Sequence, residues 1–333
     1  MGGPRNAAYI WAIVALAIVA AASIIPTPFY LLAPGNAVEL GSRIAVRDHR
    51  PPARHFYLTD VTLARASVLL LAGRFVPGTQ VVRRETVVPQ GVSAKSYDRL
   101  LSDAMSDSQN VAALVAERAA GYRVTLPTPE FAIGNVLADS HASGVLFPGD
   151  VVVAVAGRRV TTFDGVARAV RAFPAGTSVP LRIERAGHPM TLAIKTIDDG
   201  SGARLGIALR ERDATAHLPV AVRFSIADIS GSSGGLMFAL EIYAALRATR
   251  GGEPVAGTGT IRSDGTVGPI EGTRQKVIAA ERAGARVFLV PRENYADVAT
   301  ERGIRIIPVG NFAQALRAIG LPPTTSRKLA TRD

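Results

Sequence analysis

The sequence predicts an α+β fold, with helices packed on mixed sheets, that follows an N-terminal transmembrane helix. An uncharged apolar run occupies residues 7–25, and short β-rich runs follow one another between residues 130 and 200. From residue 201 onward, strand-like and helix-like runs alternate, which is typical of helices packed against a sheet. With 333 residues, the chain is long enough for two folded units besides its N-terminus.

The first element is the run "AAYIWAIVALAIVAAASII" at 7–25, which is closed by Pro26 and Pro28. A membrane-spanning helix needs about 20 apolar residues, whereas the apolar core of a cleaved signal peptide spans about 7–15. Residues 1–33 are therefore predicted as a short N-terminus and a retained single-pass anchor in the cell membrane, with a cleaved signal peptide as the alternative. The catalytic part is expected outside the cytoplasm, although more arginines follow the run than precede it, so the positive-inside rule does not support this orientation.

Four further regions follow the anchor. Residues 34–125 form a membrane-proximal region with one helical stretch, in which Met105, Val111, Leu114 and Val115 recur at helical spacing. The remaining boundaries are a β-rich module at 126–200, a second α+β unit at 201–322 and a polar tail at 323–333.

Composition excludes several classes of function. The chain has no cysteine, which rules out disulfides, thiolate metal sites and a cysteine nucleophile, and no cofactor or metal is predicted. The net charge of +11 is spread along the chain without a basic block, so no nucleic-acid partner is predicted. Among 38 basic residues, only four are lysines, namely Lys95, Lys195, Lys276 and Lys328.

The stretch "GSSGG" at 231–235 carries the first chemical signal, because it satisfies G-x-S-x-G around Ser233. Such a turn exposes a serine at a helix N-terminus, where backbone N–H groups stabilise an oxyanion. Taken alone, it also fits a glycine turn in which Ser232 or Ser233 caps a helix. An esterase of the α/β-hydrolase type is disfavoured because every histidine precedes Ser233. Lys276 follows Ser233, and a lysine whose pKa is lowered by burial can deprotonate a serine hydroxyl.

The segments "GSSGGLMFALEIYAAL" and "GTGTIRSDGTVGPIEGTRQKVIAAERAGARVFLVPREN" resemble the proteolytic domain of the Lon peptidase family over residues 218–320. That family carries G-P-S-A-G, a T-G hairpin leading to P-I-G-G, and a K-E-K helix. The resemblance implies Ser233 as nucleophile, Lys276 as general base and Thr258 as the group that orients the lysine amine. It also implies oxyanion donors among the backbone N–H groups from Gly231 through Ser232 to Ser233, polypeptide substrates, and a homo-oligomer, usually a hexameric ring.

Three positions depart from that family pattern. Ser232 replaces the usual proline, Gly234 the usual alanine, and Ser230 the acid common three residues before the nucleophile. An inactive scaffold that binds protein C-termini is therefore the alternative to a peptidase. No Walker motif is present, since "GK" occurs nowhere in the chain, so the peptidase is predicted to be independent of ATP.

The stretch "DSHASGVLFPGDVVVAVAGRRV" resembles the middle of a PDZ domain. The resemblance implies recruitment of peptides that add to a sheet edge, and "PEFAIGNV" is the expected carboxylate-binding loop. A module that only spaces the protease from the membrane is the alternative. The order of anchor, PDZ module and Lon-type domain resembles the membrane-anchored Lon-PDZ proteins of bacteria. Because "SDSQNVAALVAERAAGY" resembles the helix before the Lon serine motif, the PDZ module is expected to be inserted into the protease fold.

Overall fold

A computed structural model describes residues 4–87, 94–124, 130–198, 200, 202–212, 218–226 and 229–321. The helices are α1 (Pro4–Ile24), α2 (Arg84–Val87), α3 (Ala94–Ala120), α4 (Phe163–Arg171), α5 (Gly235–Leu246), α6 (Thr273–Arg282) and α7 (Phe312–Ala318). Short 3-10 helices occupy Leu70–Phe75 and Arg292–Asp297. The first four residues of the predicted module, 126–129, and the predicted tail at 323–333 lie outside the described residues.

The strands before the serine motif are β1 (Pro26–Glu39), β2 (Ile44–Val46), β3 (Phe56–Ser67), β4 (Gln80–Arg83), β5 (Glu130–Val136), β6 (Val151–Val155), β7 (Arg158–Arg159), β8 (Ser178–Arg185), β9 (His188–Lys195), β10 (Ile197–Asp198), β11 (Ala203–Arg204), β12 (Ile207–Arg212) and β13 (Val222–Phe224). Those after it are β14 (Val255–Gly257), β15 (Thr260–Ile261), β16 (Val267–Gly268), β17 (Val287–Pro291) and β18 (Arg305–Val309).

The larger sheet joins distant parts of the chain. Its strand order is β18-β17-β14-β3-β1-β4, with parallel pairing from β18 to β3 and antiparallel pairing from β3 to β4. Strand β3 therefore lies between β14 and β1. Strand β14 follows the serine motif, whereas β1 precedes that motif by some two hundred residues. Residues on both sides of the smaller module thus build one sheet.

Helices cover both faces of this sheet. On β17, Val287 and Leu289 belong to the core cluster that includes α5, while Phe288 and Val290 belong to the cluster that includes α6. This alternation follows from the strand geometry, which turns successive side chains to opposite faces. Helix α5 is buried along its whole length between the sheet and α3, as expected for a helix that is apolar on nearly every side. The mixed α+β prediction is confirmed by this arrangement.

The smaller module is built on a second sheet with the order β12-β5-β6-β8-β9. Strands β12 and β5 pair antiparallel from Ile207↔Val136 to Arg212↔Glu130, so the module begins and ends on neighbouring strands. Its sheet therefore extends beyond the boundary predicted at residue 200. Strand β5 pairs with β12 along its length and with β6 at Phe131 and Ala132, so peptide addition at its start is disfavoured. The carboxylate-binding position at "PEFAIGNV" stays a prediction.

The "FPGD" turn of the module has a clear structural cause. Asp150 is 2% exposed, and its carboxylate accepts the backbone N–H of Phe147 at 2.9 Å. The same carboxylate pairs with the Arg185 guanidinium at 2.7 Å, and that guanidinium also lies over the Phe147 ring. The buried charge is thus both paired and hydrogen-bonded, as a buried carboxylate must be.

The two folded units touch through the hairpin formed by β15 and β16. The backbone N–H of Ser263 donates to the Glu211 carboxylate on β12 at 2.8 Å. The guanidinium of Arg262 lies 4.1 Å from the ring centroid of Phe163, the first residue of α4. The far end of β12 therefore faces the unit that carries the serine motif.

The predicted membrane span at 7–25 falls largely on α1. Across the described part of the chain, no helix combines the length and the apolar character that crossing a membrane requires. The predicted transmembrane helix is therefore not supported.

Candidate active site

Ser233 lies in the tight loop that leads into α5. Gly231 has φ +91°, a backbone conformation that favours glycine, and its N–H donates to the Leu101 carbonyl of α3 at 3.0 Å. The Ser232 carbonyl accepts the Ser108 hydroxyl of α3 at 3.1 Å. Within the described residues, the N–H groups of Ser232 and Ser233 have no hydrogen-bond partner. The loop is thus tied to α3 and leaves two donors available.

Lys276 reaches this loop from the opposite face of the larger sheet. Helix α6 starts after Gly272, which has φ +70° and where a Cβ would lie 2.8 Å from a methyl group of Val61. This close start on β3 puts Lys276 one turn into the helix, with its side chain 3% exposed. Its Nζ lies 2.6 Å from the Ser233 Oγ and 3.1 Å from the Thr258 Oγ1.

Thr258 connects the serine and the lysine. It follows β14, and its hydroxyl donates to the Ser233 carbonyl at 3.1 Å while its oxygen accepts the Lys276 amine. The adjacent Gly259 N–H also donates to the Ser233 carbonyl, at 2.8 Å. Because the threonine proton is used on that carbonyl, the threonine oxygen can only accept from the lysine. This orients the amine with its remaining positions toward Ser233.

The structure brings together the side chains of Ser233, Lys276 and Thr258, and it brings Gly231 and Ser232 in through their backbones. Burial lowers the pKa of Lys276 from 10.5 to about 8, against the opposing charges of Asp60 and Glu271. Desolvation outweighs the effect of these two charges, because no carboxylate in the described residues forms an ion pair with this amine. A substantial fraction of Lys276 is therefore neutral near pH 8.

Two departures from the family pattern have structural correlates. At Gly234, a Cβ would lie 2.7 Å from Leu58 Cδ1 and 2.9 Å from Phe238 Cζ, so the space of the usual alanine is already filled. Ser230 lines an open cleft of about 430 Å³ beside the serine loop. Ser230 has no carboxylate where the family usually has one, but Asp98 of α3 lines the same cleft and supplies a carboxylate there.

Several residues at this site were missed from the sequence. Leu101 and Ser108 hold the serine loop, and Asp60 and Glu271 act on the lysine through their charge. For Ser108 a signal exists, since it lies three residues from both Met105 and Val111 on the predicted apolar stripe of α3. A hydroxyl on a buried stripe requires a partner.

Residues 211–317 match the family model described as the Lon protease (S16) C-terminal proteolytic domain. Among curated relatives, Lon protease of Chloroflexus aggregans is 36% identical over 98 residues, covering 28% of this chain and 12% of the relative. Lon protease 2 of Bacillus subtilis is 36% identical over 101 residues, covering 30% of this chain and 18% of the relative. The aligned part thus spans less than a fifth of each relative's length.

Solved structures similar to the chain include PDZ domains. The PDZ domain of an SdrC-like protein from Listeria innocua is 18% identical, covering 26% of this chain and 98% of that domain, with a TM-score of 0.24. Its counterpart from Listeria monocytogenes is 20% identical, covering 26% of this chain and 93% of that domain, with a TM-score of 0.23.

The matched region 211–317 includes Ser233, Thr258 and Lys276. Over these residues the chain is similar to the Lon proteolytic domain.

Proposed function

We propose that this protein is a serine endopeptidase in which Ser233 is the nucleophile and Lys276 the general base. The observation that carries the proposal is the 2.6 Å contact between the Lys276 amine and the Ser233 hydroxyl in a buried setting. Burial lowers the pKa of this lysine to about 8, which brings the amine into the range where a general base is effective. The similarity of residues 211–317 to a proteolytic domain supports the same reaction class.

The reaction proceeds in two halves. Neutral Lys276 takes the hydroxyl proton as the Ser233 Oγ forms a bond to the substrate carbonyl carbon. The resulting ammonium then gives that proton to the leaving amine as the C–N bond breaks, which leaves an acyl-serine. Water attacks the ester as Lys276 takes one of its protons. The acyl–oxygen bond then breaks to release the acid, and the Lys276 ammonium returns its proton to the Ser233 Oγ, which regenerates both groups. Thr258 holds the amine in line throughout by accepting one of its N–H groups.

The developing oxyanion requires N–H donors that are not already engaged. The Gly231 N–H, which the sequence suggested as a donor, is bonded to the Leu101 carbonyl. The donors that fit best are the N–H groups of Ser233 and Ser232, because neither has a partner among the described residues. A proline at position 232 would have no N–H, so the departure from the family pattern adds a donor here.

Substrates are proposed to be unfolded or exposed polypeptide segments, since the sequence carries no Walker motif for an ATP-driven motor. The smaller module is proposed to recruit them as a PDZ-like unit. Strand β12 is an outer strand of its sheet, and its far end contacts the unit with the serine motif through Glu211. A peptide added along β12 would therefore extend toward that unit, which favours β12 over the outer strand β9.

A binding scaffold without activity is the second candidate function. It is considered because Ser230, Ser232 and Gly234 depart from the family pattern beside the nucleophile. The filled space around Gly234 weakens the argument for inactivity at this position, because the glycine suits its local packing. A peptide-boronate or another serine-reactive probe separates the two functions. The peptidase reacts at Ser233, whereas the scaffold does not.

The direct test measures cleavage of an unfolded protein and of a short peptide by the full chain. Ser233→Ala, Lys276→Ala and Lys276→Arg are expected to abolish cleavage, the last because arginine stays protonated. Lys195→Ala, at an exposed position on β9, is the matched lysine control and should retain full activity. Full activity in Lys276→Arg would refute the proposed mechanism.

Attachment to the membrane, an extracytoplasmic location for the catalytic part and assembly into a homo-oligomer stay predictions. Sedimentation velocity of the purified chain measures its assembly state. Fractionation of cells with protease protection measures its location.

A further inference from the structure

The two peptide groups that flank Ser233 are each held by hydrogen bonds from a different element. The Ser233 carbonyl accepts from the Thr258 hydroxyl and from the Gly259 N–H, both on the segment after β14. The Ser232 carbonyl accepts from the Ser108 hydroxyl of α3 at 3.1 Å, and it also accepts a longer bond from the Gly235 N–H at 3.4 Å. The nucleophile is thus fixed from both sides.

The bond from Ser108 has a directional consequence. In a planar trans peptide, the carbonyl of one residue and the N–H of the next point in opposite directions. Because Ser108 draws the Ser232 carbonyl toward α3, the Ser233 N–H points away from α3. This N–H has no partner among the described residues, and it is the donor assigned to the oxyanion under the proposed function.

The local packing allows Ser108 to approach this closely. Ser108 is 5% exposed, and a Cβ at Gly235 would lie 2.7 Å from its hydroxyl oxygen. Any side chain at position 235 would therefore displace Ser108 from the loop. The hydrogen bond from Ser108 to the loop therefore requires a glycine at position 235.

We infer that Ser108 is a positioning residue for the oxyanion donor, which it orients through the Ser232–Ser233 peptide group. This inference rests on the proposed peptidase function. Without the Ser108 hydroxyl, this peptide group keeps only the longer bond from the Gly235 N–H, and the Ser233 N–H is held less firmly in its direction. Ground-state binding of a substrate chain does not depend on that direction, whereas stabilisation of the tetrahedral intermediate does.

The test compares kcat and KM on a short peptide for the full-length wild type and Ser108→Ala. Loss of one oxyanion donor lowers kcat by about 100-fold or more, so a misdirected donor is expected to lower it by about 10- to 100-fold with KM little changed. Affinity for a peptide boronate, which forms a tetrahedral adduct with the serine, should fall by a similar factor. A merely structural role would lower the melting temperature and leave both quantities unchanged per folded molecule.

Three further variants control the comparison. Ser108→Thr and Ser108→Val have nearly the same shape and differ in the hydroxyl, so only the threonine variant should retain high kcat. This pair keeps the inference testable if Ser108→Ala folds poorly. Thr196→Val removes a similarly buried hydroxyl, whose single proton lies between two backbone carbonyls of the smaller module, and should leave kcat unchanged.

The outcomes are distinguishable. Wild-type kcat in folded Ser108→Ala, or equal kcat in the threonine and valine variants, overturns the positioning role alone. A wild type no more active than Ser233→Ala overturns the proposed function and this inference with it. A drop in kcat that threonine restores and valine does not supports both.

Discussion

Replacing Lys276 by methionine should stabilise the fold at neutral pH while abolishing peptidase activity. Methionine has nearly the length of lysine and carries no charge. Burial lowers the pKa of Lys276 from 10.5 to about 8, so the fold disfavours its protonated form relative to the unfolded chain. At about 1.4 kcal/mol for each pKa unit, protonated Lys276 destabilises the fold by about 3 kcal/mol at pH 7.

Two hydrogen bonds offset part of this gain. The amine contacts the hydroxyls of Ser233 and Thr258, and losing each bond costs about 1 kcal/mol. The net stabilisation of Lys276→Met at pH 7 is therefore expected to be about 1 kcal/mol. This offset does not vary with pH, whereas the charge effect does.

The sign of the pH dependence follows from proton binding. Between about pH 8 and 10.5, the unfolded lysine holds its proton more often than the folded one, so the free energy of unfolding of the wild type rises with pH. Below about pH 8 the destabilisation is fully present, and above pH 10.5 it is gone. The advantage of Lys276→Met should therefore shrink by about 1 kcal/mol between pH 7 and pH 9.

Urea unfolding followed by circular dichroism at these pH values measures the difference. Lys195→Met, which changes an exposed lysine on β9, is the control and should show no such pH dependence relative to the wild type. A difference between Lys276→Met and the wild type that stays constant from pH 7 to pH 9 would refute the depressed pKa. The general-base role would then lose its electrostatic support.

Three other predictions concern the same site. The kcat/KM of the wild type should rise with pH through about pH 8 as Lys276 loses its proton, and a flat profile across that range would contradict the assignment. Thr258→Val should lower kcat by about 10-fold or more in steady-state assays, because the amine loses the oxygen that orients it, and unchanged kcat would remove this role. Gly234→Ala should destabilise the fold by about 1–3 kcal/mol in urea titrations, since the new methyl group meets Leu58 at 2.7 Å. In a Leu58→Ala background, Gly234→Ala should cost less than it does in the wild type, because the clashing side chain is gone. An equal cost in both backgrounds would contradict the contact.

Much of the candidate site is readable from the sequence because it depends on residue type. Only a lysine can act as a neutral amine base, and the chain retains few lysines, so Lys276 stands out beside the glycine-rich serine turn. The positions of Ser233, Thr258 and Lys276 in recognisable motifs then suffice to name them. Their distances come from the structure alone, since residues 43 positions apart meet at 2.6 Å beside Thr258, at the end of β14.

The boundaries of the units were less predictable. The alternating runs predicted from residue 201 onward include β12, but this strand pairs with β5 of the smaller module. A strand carries no local mark of the sheet that it joins, because its backbone donors and acceptors are the same on either side. For the same reason, the sequence did not show that β5 pairs with β12 along its length and with β6 at its start.

The sequence by itself determined the mixed α+β class through its periodicity, and side-chain chemistry singled out Ser233 and Lys276 as candidates. The resemblance to the Lon proteolytic domain supported these two and added Thr258. Only the tertiary structure decided that Ser108 of α3 bonds to Ser232, 124 residues away, and that burial lowers the pKa of Lys276. Both depend on packing between distant segments. Hydrogen-bond direction and desolvation arise from that packing, and no local pattern of residues encodes them.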